Sequence, residues 1–129
     1  MPTLEELKQA IEASWGSDTC FDASEWTSGN PARGHCVVTS LVVQYFFGGD
    51  LLKVVTVFNG HDESHYYNLL PDGSTLDWTR QQYPADQPLT PSVVNLRGFA
   101  NARDKMLHEE HTRQRYELLL ERAKRKLAG

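Results

Sequence analysis

The apolar positions change period along the chain, and each change marks an element. Leu4, Leu7, Ile11 and Trp15 recur at helical spacing behind Thr3 and Glu6, which form a capping-box signal, and Gly16 supplies a stop. Residues 17–35 are dense in Gly, Ser, Asn, Asp and Pro, and read as a long irregular loop ending in Asn30-Pro31-Ala32-Arg33-Gly34. Residues 36–47, CVVTSLVVQYFF, are apolar nearly all round, so periodicity alone does not separate a buried helix from a buried strand. The length of the run and the Gly48-Gly49 stop favour a helix, against the milder strand preference of Val37, Val38, Val42 and Val43.

Beyond that helix, strands are expected near 51–58, 64–70 and 75–80. Pro71-Asp72-Gly73 joins the last two as a three-residue hairpin loop, Pro fixing φ in the first turn position and Gly taking the left-handed one. Residues 84–98 contain three prolines and read as an extended connection. Tyr116, Leu119, Leu120, Ala123 and Leu127 form the apolar stripe of a final amphipathic helix. The order predicts an α+β fold: an N-terminal helix, a buried central helix, a small antiparallel sheet of about three strands and a C-terminal helix.

Length and composition narrow the class. A chain of 129 residues suits one domain, 1–129, with too little left over for a second core. No apolar run reaches the roughly 20 residues that cross a membrane, and the charged, amphipathic N-terminus is unlike a secretory signal. A cytoplasmic, reducing setting follows, with Cys20 and Cys36 as thiols rather than a disulfide. Residues 1–100 carry 5 basic and 12 acidic side chains, whereas residues 101–129 carry 8 basic and 5 acidic. The basic end reads as a solvated helix face, and the acidic body argues against nucleic acid as the main ligand.

The candidate chemistry centres on Cys36. As the first residue of a helix its sulfur would sit beside unpaired N–H groups and the positive end of the dipole, both of which stabilise a thiolate. Gly34 lets the backbone pass close to a substrate, and the Cys36 N–H is placed to serve an oxyanion. The plainer reading makes Cys36 a small buried apolar residue. The hairpin loop tilts the choice. With Leu70 opposite Ser74, Tyr67 faces Asp77 and His65 faces Thr79, so His65 and Asp77 become diagonal neighbours on one face. A two-residue loop would shift the register and part them. A carboxylate on one imidazole nitrogen fixes the tautomer and leaves the other nitrogen for a thiol, so Cys36, His65 and Asp77 read as nucleophile, base and orienter.

Three stretches resemble the YunG-like family of small bacterial proteins: NPARGHCVVTSLVVQYFFGG (30–49), SHYYNLLPDGSTLDWTRQQY (64–83) and TRQRYELLLERAK (112–124). The family pattern runs approximately NP..GQC, SHY.N and D.TR.QF, and Cys36, His65 and Asp77 occupy matching positions. His35 stands where Gln is usual, and Tyr83 where Phe is usual. The order Cys-helix, His-strand, Asp-strand is similar to that of papain-like and transglutaminase-like cysteine enzymes. That likeness implies a papain-like or transglutaminase-like core, and a hydrolase or acyltransferase working on an amide, isopeptide or thioester carbonyl. Its substrate would be a peptide, a protein or a small acyl compound, and the chemistry needs no cofactor. The alternative is a non-catalytic module that binds a peptide or small molecule while Cys36 packs.

Other residues carry weaker signals. His35 is expected outside the core at the helix cap. Asn68, Trp26 and Trp78 read as structural, and Cys20 as a loop thiol without the spacing of a redox pair. His108-Glu109-Glu110-His111 lacks the i, i+4 histidine spacing of a zinc-protease helix, and its glutamates suit the acidic first turn of the final helix. A zinc site on Cys36, His65 and Asp77 would lack an obvious fourth ligand, so no metal is expected.

Overall fold

The computed structural model describes residues 1–129. Helix α1, Leu4–Glu12, opens with the expected capping box: Thr3 Oγ1 accepts from the Glu6 N–H and Glu6 Oε1 accepts from the Thr3 N–H. Leu7 and Ile11 are fully buried, each contributing about 1.5–3 kcal/mol by leaving water, while Leu4 stays partly exposed. The helix stops before Gly16, and Trp15 turns inward to donate from Nε1 to Thr39 Oγ1 at 3.0 Å.

The apolar run forms helix α2, Cys36–Phe47. Val38, Leu41, Val42 and Val43 on it are buried against Leu7, Ile11, Tyr116, Leu119 and Ala123. Burial on several sides explains why the run has no polar face. Gly48 and Gly49 both take positive φ, and a Cβ on Gly49 would fall 2.0 Å from the Leu69 carbonyl oxygen, so only glycine allows this exit.

The sheet has four antiparallel strands in the order β3-β2-β1-β4, one more than expected. Strands β1, Asp50–Phe58, and β2, His61–Leu69, pair along their whole length from Asp50↔Leu69 to Phe58↔His61. Asn59 and Gly60 turn between them with φ of 51° and 79°, the left-handed pair of a two-residue hairpin. The second strand therefore begins three residues earlier than 64, because the polar run His61-Asp62-Glu63-Ser64 belongs to it. Strand β3 is only Thr75–Leu76. Its register, Leu69↔Thr75 and Asn68↔Leu76, is the one the three-residue loop dictates, with the Leu70 N–H donating to the Ser74 carbonyl. At Asp77 the chain leaves the ladder for a 3-10 turn, Trp78–Gln82, so the strand expected to 80 stops early. The proline-rich connection also contains β4, Thr90–Ser92, which pairs with the middle of β1 as an exposed edge.

The C-terminal segment is two helices rather than one. Helix α3, Ala102–His108, is capped by Asn101 and ends at Glu109, and α4 runs from Glu110 to Ala128. The His108–His111 stretch thus spans the break between them. Tyr116, Leu119 and Ala123 bury the expected stripe of α4, with Leu120 and Leu127 packed beside it. Arg103 ties α3 to both neighbours, donating to the Leu41 carbonyl on α2 at 3.2 Å and to Tyr116 Oη on α4 at 2.7 Å. No helix is long and apolar enough to cross a membrane.

Candidate functional site

The three sequence-predicted residues meet where α2 begins beside β2 and the turn after β3. Helix α2 starts at Cys36 itself, and its N-cap residue His35 provides no side-chain cap. The first N–H groups of the helix are therefore left open at the half-buried Cys36. Gly34 makes this approach possible. Its φ is +76°, and a Cβ there would lie 2.4 Å from Cys20 Sγ.

His65 is fully buried, and its Nε2 lies 3.0 and 2.8 Å from the two carboxylate oxygens of Asp77. Asp77 reaches back because it ends the short hairpin and heads the 3-10 turn, with Thr79 Oγ1 donating to it at 3.4 Å. With Nε2 committed, Nδ1 is the free nitrogen, and Gln82 Nε2 stands 3.4 Å from it. Burial disfavours a charged ring, but hydrogen bonding to Asp77 and to Cys36 outweighs it and pushes the His65 pKa up to about 9. Tyr83 closes the other side of the ring edge-on at 5.4 Å.

A cavity of about 520 Å³ is lined by Cys36, Ser64, Tyr66, Gln82 and Tyr83 together with Arg33, Glu63, Cys20 and Arg115, while the buried His65 and its partner Asp77 stand outside its lining. Arg33, Glu63, Glu25 and Tyr83 form one connected network on its polar wall. Arg33 grips Glu63 through both amino groups and also reaches Glu25, while Tyr83 Oη donates to Glu63 at 2.7 Å. Burial opposes the Glu63 charge, but these donors win and keep its pKa below the usual carboxylate range. The Arg33 guanidinium also covers the Phe58 ring at 4.9 Å. A second cavity, of about 540 Å³, opens along β1 and β2 and contains no Cys or His.

His35 corrects the expectation of an exposed cap. It is fully buried, tilted against Trp15 at 5.6 Å, with Nδ1 2.9 Å from the Arg33 carbonyl and Nε2 2.7 Å from Thr19 Oγ1. Nδ1–H donates to the carbonyl and Thr19 donates to Nε2, a pairing that suits the neutral ring. Burial accordingly lowers the His35 pKa to about 4. Cys20 is a buried free thiol that donates to the Asp22 and Arg33 carbonyls, and burial pushes its pKa up. Asn68 is structural, its Nδ2 donating to the Ser40 carbonyl of α2 at 2.9 Å. Trp78 packs on the core, and Trp26 donates to the Pro31 carbonyl; neither lines the cavity.

Sequence reasoning missed Arg33, Glu63, Gln82 and Arg115. The first two are opposite charges 30 positions apart, and no local spacing joins them. Gln82 was within reach of the reading, since it lies in the stretch 64–83 that carries the family pattern.

A family model described as YunG protein matches residues 3–128. The uncharacterized protein YunG of Bacillus subtilis (strain 168) is 36% identical over 83 residues, which cover 64% of this chain and 64% of that relative. The matched region thus spans just under two thirds of the relative's length. No solved structure matches.

Proposed function

The chain belongs to the YunG protein family, and on that premise we propose that it is a cysteine hydrolase or acyltransferase acting on an amide, isopeptide or thioester carbonyl. The observation that carries this reading is a buried imidazole held by both oxygens of Asp77 on Nε2, behind a cavity wall that includes Cys36, Gln82 and Tyr83. Such an arrangement keeps the ring charged and oriented, and Cys36, at the first position of helix α2, is the nucleophile it would serve. The chain order of Cys, His and Asp is that of papain-like and transglutaminase-like enzymes. This is an analogy of order, and order alone does not fix function.

In this reading Cys36 Sγ attacks the carbonyl carbon. The carbonyl oxygen gathers negative charge and accepts from the Cys36 N–H and from Gln82 Nε2. His65 passes its Nδ1 proton to the departing amine or thiol as the carbon–heteroatom bond breaks, leaving a Cys36 thioester. Water, or an acceptor amine, then gives a proton to Nδ1 and attacks that thioester, releasing Cys36 thiolate and the acyl product. Asp77 keeps Nδ1 pointed at the sulfur throughout and takes no proton.

The test is the rate of Cys36 alkylation by iodoacetamide against pH, in wild type and in His65→Ala, with Cys36→Ala to subtract Cys20. The expected result is rapid alkylation near neutral pH that collapses in His65→Ala. A profile that follows an ordinary thiol and ignores His65 would mean that Cys36 only packs and that the cavity binds without chemistry.

A further inference from the structure

Arg115 on α4 is an anomaly that the chemistry of Cys36 does not use. It is only 5% exposed, yet no Asp or Glu of the chain pairs with it. One hydrogen bond is made, from Nη2 to Thr112 Oγ1 at 3.3 Å, and Thr112 itself donates to Glu109. The Nε atom is enclosed and has no acceptor at all. A guanidinium brings five N–H donors in a fixed fork, so most of its capacity is unspent. Phe21 lies against the guanidinium at 5.5 Å, which favours the cation without satisfying a donor. A desolvated charge whose one acceptor is a neutral hydroxyl is unfavourable and calls for an explanation.

The explanation lies in where the residue points. Arg115 lines the same cavity as Cys36. The other guanidinium there, Arg33, is already neutralised by Glu63 and Glu25. We propose that Arg115 is the anchor for a carboxylate of the substrate, so that the protein acts on a small acyl compound bearing a free carboxylate. This rests on the reading in which Cys36 attacks a carbonyl in that cavity. The guanidinium fork matches a carboxylate in two parallel hydrogen bonds. A cavity of about 520 Å³ suits a small compound. The rim selects further: Asp22, Asp62 and Glu109 line it without ion pairs, and they repel a phosphate dianion more than a monoanion.

The probe is N-acetyl-β-alanine, which pairs one carboxylate with one amide carbonyl; its neutral amide and inorganic phosphate are the comparisons. Binding is read in two ways: as protection of Cys36 from iodoacetamide, and as NMR saturation transfer to the probe's methyl protons, which needs no reactive thiol. The acid should bind wild type in preference to its amide and to phosphate. Arg115→Gln should weaken that binding by about tenfold or more, the size of a lost charged hydrogen bond. Arg115→Lys keeps the charge without the fork and should fall between the two. It also decides the matter if Arg115→Gln does not fold by circular dichroism. Equal binding of acid and amide, equal binding of phosphate, or indifference to both substitutions would overturn the anchor. Ordinary alkylation of Cys36 combined with acid-selective, Arg115-dependent saturation transfer keeps the anchor and sinks the thiol chemistry. Fast alkylation without acid selectivity does the reverse.

Discussion

His65 Nε2 contacts both carboxylate oxygens of Asp77, at 3.0 and 2.8 Å, although strand β3 has ended one residue before Asp77. The register set by Pro71-Asp72-Gly73 brings the two close, and the 3-10 turn then swings the carboxylate onto the ring. A loop shorter by one residue would turn Asp77 to the other face of the hairpin.

Loss of the orienter should be graded. Asp77→Asn keeps a hydrogen-bonding group of the same shape on Nε2, and should lower the rate of Cys36 alkylation near neutral pH only modestly. Asp77→Ala removes both contacts and frees the ring to change tautomer, so it should approach the rate of His65→Ala. Iodoacetamide kinetics on the three variants tests this. Equal rates in wild type and Asp77→Ala would mean that the carboxylate does not orient the base.

Gly34 should resist substitution. Gly34→Ala puts a Cβ at positive φ and within 2.4 Å of Cys20 Sγ. Strain of the left-handed backbone alone is worth about 1–3 kcal/mol. The clash adds to it, and chemical denaturation should show a loss above that range. Adding Cys20→Ala to Gly34→Ala should recover the part due to the clash and leave the backbone part. A double variant no more stable than Gly34→Ala alone would rule out the steric account.

The elements with a strong local cause were legible in the sequence. Thr3 and Glu6 announced α1, the double glycine closed α2, and the proline-led loop set the β2–β3 register that joins His65 to Asp77. What escaped was decided by tertiary packing or by overlooked turn chemistry. Asn59-Gly60 is a strong hairpin signal, but the polar run 61–64 hid the strand after it. Strand β4 is three exposed residues held by pairing to β1, a partnership that its own sequence does not encode. His35 looked like a surface cap because histidine is often half-exposed, whereas Thr19 and the Arg33 carbonyl satisfy both nitrogens and permit full burial.

The wall of the cavity should depend on Glu63. Its carboxylate accepts from Arg33 and Tyr83 with little exposure on either side, so Glu63→Gln leaves a half-buried guanidinium without its main counter-charge. The expected loss of stability is about 1.5–3 kcal/mol, the range for hydrogen bonds to charged groups. Glu25→Gln is the control: that carboxylate is half-exposed, and its loss should cost at most about 1 kcal/mol. Urea denaturation of the two variants measures both. Equal small losses would show that the Arg33–Glu63 pair is as replaceable as a surface ion pair.

The two buried histidines should bend the stability profile in opposite directions. The His65 pKa is raised to about 9 in the folded chain, against roughly 6.5 when unfolded. Its contribution is fully present below the unfolded value and is lost as pH rises through about 9, because the folded state holds a proton that the unfolded chain has released. The His35 pKa is lowered to about 4. Its contribution is present above the unfolded value and is lost as pH falls toward 4, because the unfolded chain gains a proton that the buried ring refuses. From these two groups alone, stability should peak near pH 6.5. Imidazole NMR shifts should show His35 silent from pH 8 to 5 and His65 titrating only as pH approaches about 9. Thermal melts should place the alkaline decline in wild type and flatten it in His65→Gln, which keeps a neutral donor near Asp77. An alkaline limb that persists unchanged in His65→Gln would assign it to another group and would remove the charged imidazole from the site.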